Sequence, residues 1–485
     1  MARACLAALV LPILSALASA CAPASAPQLT PRAAPSERSA KGAPSASGTG
    51  GAAKAGGATK GAGADPRELD EARAEVRAEE RARVRAMLAR VARARGLPST
   101  REIEIAVQGR DELLARIRAH VDRELPADVI GYQGEVLTAL ELLPPGYDFL
   151  EGTYRLVGGR VAGFYEPEDR TMYLVDDLSD DEAEETLAHE LVHALQDQRY
   201  DLAALLRYVP GEGDRLTAVH ALIEGDATSA MLDVTLGSAF NISDAWLRRL
   251  LSISTTLSPE GAATPPVLSA SLTSAYADGF AFVQALRTKG GFPAVDEALR
   301  APPATTEQLL HLDKFTAREP ALAVAELPLD ALGPGFRAVI DDVNGEQGLR
   351  IMLEQWAPRA RAEEAAAGWG GDRYVVARRD EGEGKHAVAI GMRIVFDTAK
   401  DAGELAAVLS ARFGASCRER PALGPLTFRR QGLEVALVAG PFTRTAGSKA
   451  TASAGHCAAA EAWTAALLKS AKPRPTPPPA ARTAR

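Results

Sequence analysis

The pentapeptide His-Glu-Leu-Val-His at 189–193 lies in a stretch whose apolar residues recur at helical spacing. Ser179, with Glu182 three residues on, has the form of a capping box that starts the helix. Leu187, Leu191, Ala194 and Leu195 then share one face, with Val192 beside them. On such a helix His189 and His193 are one turn apart and project side by side. Two imidazoles at that spacing can reach one zinc ion (Zn2+) at about 2.0–2.1 Å. Glu190 is one residue round, so its carboxylate approaches an attacking water without ligating the ion. The alternative is an amphipathic helix whose histidines only make hydrogen bonds.

A catalytic zinc ion needs a third protein ligand and an open position. The chain must therefore fold a second ligand-bearing segment against the first. Residues 220–228 read His-Ala-Leu-Ile-Glu-Gly-Asp-Ala-Thr, in a segment expected to be helical over about 214–235. Glu224 is the leading third ligand, and His220, one turn earlier on the same face, is its rival. Gly225 would let this helix pack closely on the metal helix, and Asp226 or Thr228 would orient a ligating histidine.

The pair HELVHALQDQ (189–198) and ALIEGDAT (221–228) resembles the gluzincin metallopeptidases, in which two histidines and a glutamate from a second helix hold zinc. Glu224 stands further from His193 than in thermolysin-like enzymes. The wider chain resembles a group of largely uncharacterised bacterial and archaeal metallopeptidases. The matching pieces are GFYEPEDRTMYLVDD (163–177), GFAFVQAL (279–286), TTEQLLHLDKF (305–315) and GWGGDRY (368–374). The resemblance implies a gluzincin-like catalytic region and leaves the substrate open. His311 and Tyr276, in or beside these segments, are the candidates for a donor that stabilises the oxyanion. His311 equally fits a capping or core role, and Tyr165 and Tyr200 read as structural. In zinc peptidases of this type an edge strand beside the metal helix holds an extended peptide. The run 171–176 is the candidate for that strand, with an ordinary structural hairpin as its alternative.

The formal net charge of −8 argues against general nucleic-acid binding, which needs a basic surface to release phosphate counterions, and leaves room only for a local basic patch. The N-terminus reads as an export signal. Arg3 precedes the apolar run Leu6 to Ala18, which is too short to span a bilayer, and Ala18, Ser19 and Ala20 precede Cys21. This resembles a bacterial lipoprotein signal with Cys21 as the lipidated residue, anchoring the exported chain to a membrane of the cell envelope. Leu17 sits one place early for that signal, which leaves an ordinary signal peptide cut near Ala20 as the alternative. With Cys5 removed and Cys21 lipidated, Cys417 and Cys457 remain, and an oxidising compartment favours one disulfide between them over two buried thiols.

The expected organisation is a signal peptide (1–20), a Pro-, Ser- and Gly-rich tether (21–65) and an N-terminal helical region (66–145). A metallopeptidase core (146–367), a small α/β domain (368–470) whose element order suggests a ferredoxin-like form and which the glycine-rich turn at 368–371 opens, and a Pro-rich tail (471–485) follow. Strands are expected at 153–157, 160–165 and 171–175, with mainly helix and turns over 303–357. The fold class is α+β: a mainly helical zincin-like region with a short β-meander, plus the C-terminal α/β domain. The expected function is zinc-dependent hydrolysis of peptide bonds in peptide or protein substrates of the cell envelope. Glu190 would be the general base for a zinc-activated water. The alternatives are a non-catalytic zinc-binding envelope lipoprotein with a structural or partner-binding role, and a hydrolase of another amide such as a cell-wall peptide link.

Overall fold

The computed structural model describes residues 66–124, 127–158, 161–176, 180–257, 262–445 and 451–475. The signal segment, Cys21, the tether, Ser179 and the tail beyond 475 lie outside the described residues. The described chain is α+β, and no helix in it is long and apolar enough to cross a membrane.

In chain order the helices are α1 (Pro66–Arg95), α2 (Arg110–Glu124), α3 (Ala127–Ala139), α4 (Phe149–Gly158), α5 (Asp180–Tyr200), α6 (Leu202–Leu205), α7 (Gly213–Leu236) and α8 (Asp244–Leu257). They continue as α9 (Pro266–Arg300), α10 (Thr306–Leu310), α11 (Leu312–Ala317), α12 (Gly345–Glu354), α13 (Arg359–Ala366), α14 (Ala399–Phe413) and α15 (Cys457–Lys469). Strands β1 (Glu104–Gln108), β2 (Gly163–Glu166) and β3 (Thr171–Val175) form one sheet in the order β1-β3-β2, with β1 parallel to β3 and β2 antiparallel to it. A two-stranded ribbon joins β4 (Leu322–Ala323) to β11 (Arg474–Pro475). The largest sheet runs β10-β9-β7-β6-β5, with β8 also paired to β9. Its strands are β5 (Arg337–Asp342), β6 (Trp369–Gly382), β7 (Lys385–Phe396), β8 (Leu426–Gln431), β9 (Glu434–Thr445) and β10 (Thr451–Ser453).

Three expectations are corrected here. Thr153–Val157 is helical within α4, not a strand, because Phe149, Thr153, Leu156 and Val157 bury one face at helical spacing. The run 171–176 does not make an edge: β3 lies between two partners, because EIAVQ at 104–108, whose strand character was not read from the sequence, pairs along its whole length. Residues 303–357 are not only helix and turn, since β5 lies among them and opens the large sheet.

The large sheet contains part of the ferredoxin-like order, with β7 and β8 flanking β9 in a split β-α-β unit, and β6 and β5 extend it further. Alternation fails on β7 and β9, where nearly every residue is buried, so both faces of the sheet are covered. On one face Trp463 and Leu467 of α15 pack with Val375, Ala377, Ala389, Ala436 and Val438. The Trp463 indole N–H donates to the Pro328 carbonyl at 2.7 Å. Cys417 and Cys457 form a disulfide that ties the loop after α14 to the start of α15.

Met87–Arg485 packs as one compact unit, and Ala26–Ala86 is a second unit, whose described residues are the first part of α1. Within the larger unit there is no separation at 145 or 367. Ion pairs explain this in part. Glu141, just after α3, meets Arg412 at 2.7 Å, Arg418 at 3.0 Å and Arg420 at 3.2 Å, and Glu135 meets Arg444 at 3.1 Å. Partners so remote in sequence leave no local signal.

A second junction joins the sheet to α7. Gly213 N donates to Asp342, and Asp214 accepts hydrogen bonds from both the backbone N–H and the hydroxyl of Thr306. Gly345 adopts φ +75°, and a Cβ there would lie 1.7 Å from Asp214 Oδ1, so only glycine fits. Burial pushes the Asp214 carboxyl up to about 8 against the Thr306 bonds, with the Asp372 and Glu307 carboxylates adding to the rise. A carboxyl raised in the folded state binds its proton more tightly there than in the unfolded chain. Its contribution is therefore present at low pH and is lost as pH rises from about 4 to about 8, with a slope of at most about 1.4 kcal/mol per pH unit. Asp214→Asn is expected to flatten that slope in urea-denaturation midpoints measured from pH 5 to 8.

Candidate metal centre

The centre is built where α5 and α7 cross. α7 is buried on every side from Gly213 to Thr217 and from Ala218 to Leu232, apart from Arg215, so small and aliphatic residues all round it are required. Its close approach is to α9 and not, as expected from the sequence, to the metal helix: a Cβ on Gly225 would fall 2.1 Å from the Gly279 carbonyl carbon, and one on Gly279 would fall 1.8 Å from Ala221 O. Two glycines facing each other let the helix backbones touch.

His189, His193 and Glu224 converge at this crossing. His189 Nε2 lies 3.1 Å from His193 Nε2 and 3.1 Å from Glu224 Oε2, and His193 Nε2 lies 3.6 Å from the same oxygen. Three donors bound tetrahedrally at zinc distances would stand about 3.3 Å apart, so the triangle fits that ion. All three side chains are at most 5% exposed. Two ring nitrogens and a carboxylate oxygen pointing together make a buried patch of lone pairs, an arrangement that a cation relieves.

The electrostatics agree with that reading. Burial disfavours the His193 cation, but the Glu224 carboxylate overrides this and raises the ring to about 9. Burial lowers His189 despite its bond to Glu224. Glu224 itself is held well below the usual carboxylate range, since His193 and the bonds from His189 outweigh its burial. A proton thus supplies the positive charge that Glu224 requires here, and a divalent cation would supply more.

Glu190 is also within reach: one of its oxygens lies within 4.8 Å of a nitrogen on each histidine. Its Oε2 accepts the Tyr165 backbone N–H at 2.8 Å, which ties it to β2 beside the triangle. Burial pushes Glu190 up to about 8. Of the two carboxylates, Glu224 completes the triangle and Glu190 stands next to it.

The remaining candidates are distributed as follows. His220 Nε2 lies 3.2 Å from the other Glu224 oxygen, Oε1, and so faces the ligand candidate on the side away from the two rings' shared oxygen. The Tyr276 ring centre is 6.0 Å from that of His189. His311 lies elsewhere, bonded through Nε2 to Glu346 at 2.9 Å in a cavity of about 480 Å³ that is also lined by Arg248, Asp278 and Arg350. The Glu346 bond raises the His311 ring above its ordinary value. Tyr165 donates its hydroxyl to Asp197 at 3.0 Å, and Asp372 of the glycine-rich turn accepts the Asn344 and Gly345 N–H groups at the start of α12. Asp226, and not Thr228, lies behind a histidine, and it acts through Gln196, a residue the sequence reading passed over. The helical spacing held the signal for it, because Gln196 lies three residues after His193 on the same face.

A family model described as a domain of unknown function, DUF8575, matches residues 336–448. That stretch corresponds to strands β5 to β9 and contains none of the residues of the triangle. No curated protein and no solved structure matches the chain.

Proposed function

We propose that this protein is a zinc-dependent peptidase of the gluzincin type, acting in the cell envelope on peptide or protein substrates. The observation that carries the reading is the triangle of His189, His193 and Glu224 with the Glu190 carboxylate beside it. A zinc ion held by the three residues would supply a Lewis acid and lower the pKa of a water there. Glu190 takes the proton of the attacking water and delivers it to the leaving amine. The Tyr165 N–H holds the Glu190 carboxylate in position for both transfers. Tyr276, beside His189, is the nearer of the two candidate oxyanion donors, and His311 belongs to the separate cavity with Glu346. Glu190 also favours catalysis over a purely structural metal site, since a structural site closes with four ligands and needs no adjacent base.

The first test is metal content. Purified protein is expected to carry about one zinc per chain and to cleave an unfolded polypeptide, losing that activity on chelation. His193→Ala is expected to retain little or none of the metal. Equal zinc in the two proteins would remove the ligand assignment.

A further inference from the structure

His193 stands at one end of a buried chain of hydrogen bonds that leads to the last residue of α1. Its Nδ1 lies 2.8 Å from Gln196 Oε1. Gln196 Nε2 donates to the Ile223 carbonyl at 3.1 Å and to Asp226 Oδ2 at 2.8 Å. Both partners only accept, so the amide oxygen must face the ring, and His193 Nδ1 must carry a hydrogen. In the neutral ring, the form that can bind a metal, the other nitrogen then presents its lone pair to the triangle. Asp226 Oδ1 in turn accepts Arg95 Nε at 2.6 Å. Arg95 also donates to Asp296 at 2.7 Å, and its guanidinium lies 4.5 Å from the Phe292 ring centre. Arg95, Asp226 and Gln196 are all 0% exposed.

A fully buried arginine–aspartate pair is a poor way to stabilise a core, because desolvating both charges offsets most of their attraction. Arg95 NH1 is moreover buried without a hydrogen-bond partner. Both features point to a task other than stability. Building on the metal reading above, we propose that Arg95 and Asp226 are positioning residues that act through Gln196 to lock the His193 ring in the form that can ligate. The end of the N-terminal helix is then a working part of the metal centre.

Zinc affinity, measured by chelator competition on the otherwise intact chain, tests this. Gln196→Met keeps the Arg95–Asp226 pair and removes the amide that faces the ring. The double variant Arg95→Met/Asp226→Leu exchanges the pair for apolar groups of similar size, which protects the fold where a single charge deletion would not. Each is expected to weaken zinc binding about 10- to 100-fold. In the metal-free unaltered protein above about pH 9, where the His193 ring becomes neutral, nitrogen-15 spectra of labelled histidine are expected to show its hydrogen on Nδ1, and in Gln196→Met the two tautomers are expected to mix. A folded Gln196→Met protein with unchanged zinc affinity and an unchanged tautomer would overturn the proposal while leaving the metal reading intact. Absence of zinc binding by the unaltered protein would overturn the metal reading, and this proposal with it.

Discussion

Glu190→Gln is expected to lower kcat/KM for peptide hydrolysis by about 10²- to 10⁴-fold while leaving zinc content unchanged. The amide has the same size as the carboxylate, and its oxygen can still accept the Tyr165 N–H that Glu190 accepts at 2.8 Å. It cannot take a proton from water. The ligand triangle contains no atom of Glu190, so the variant separates metal binding from proton transfer. Fluorogenic-peptide kinetics with metal analysis of the same samples make the comparison. A variant that binds zinc and cleaves at the unaltered rate would remove Glu190 from the mechanism.

Gly225→Ala is expected to destabilise the protein by about 3 kcal/mol or more. The new methyl would meet the Gly279 carbonyl carbon at 2.1 Å, its oxygen at 2.2 Å and Phe280 N at 2.6 Å. These are backbone atoms of α9 and cannot rotate away as a side chain would. The two helices would have to part, and Glu224 would move with α7. Gly131→Ala is the control: Gly131 is exposed on α3 and nothing lies within 4 Å of the added Cβ, so that change is expected to be stabilising by up to about 1 kcal/mol. Denaturant midpoints of the two variants should move in opposite directions. Equal shifts would show that the α7–α9 contact tolerates a methyl group.

Much of the site is legible in the chain itself. The apolar period around 187–195 makes α5 a helix, and a helix places His189 beside His193 whatever it packs against. The segment at 220–228 is likewise helical, and Glu224 stands out there, with His220 as its rival, because a third ligand is needed on a second element. The strands of the large sheet from 369 onward follow from their content of Val, Ile and aromatic residues. Local signals failed where the competing pattern was ambiguous. Thr153–Val157 has the β-branched residues of a strand, yet it buries a helical face with Phe149. Gly225 promised a close helix contact but carried no information about its partner.

What the sequence determines without help is set within two turns of one helix: two imidazoles side by side, a carboxylate one residue on, and an amide at Gln196 on the same face. Covalent geometry and hydrogen bonding along one helix are enough for that. Only the tertiary structure decides which residues meet across helices. It brings Glu224 rather than His220 to the two rings, seats Gly225 on Gly279, moves His311 away to Glu346, and threads Arg95 from the N-terminal helix to Asp226. The reason is physical: these partners are chosen by burial and close packing summed over the whole core, and no one segment carries that sum.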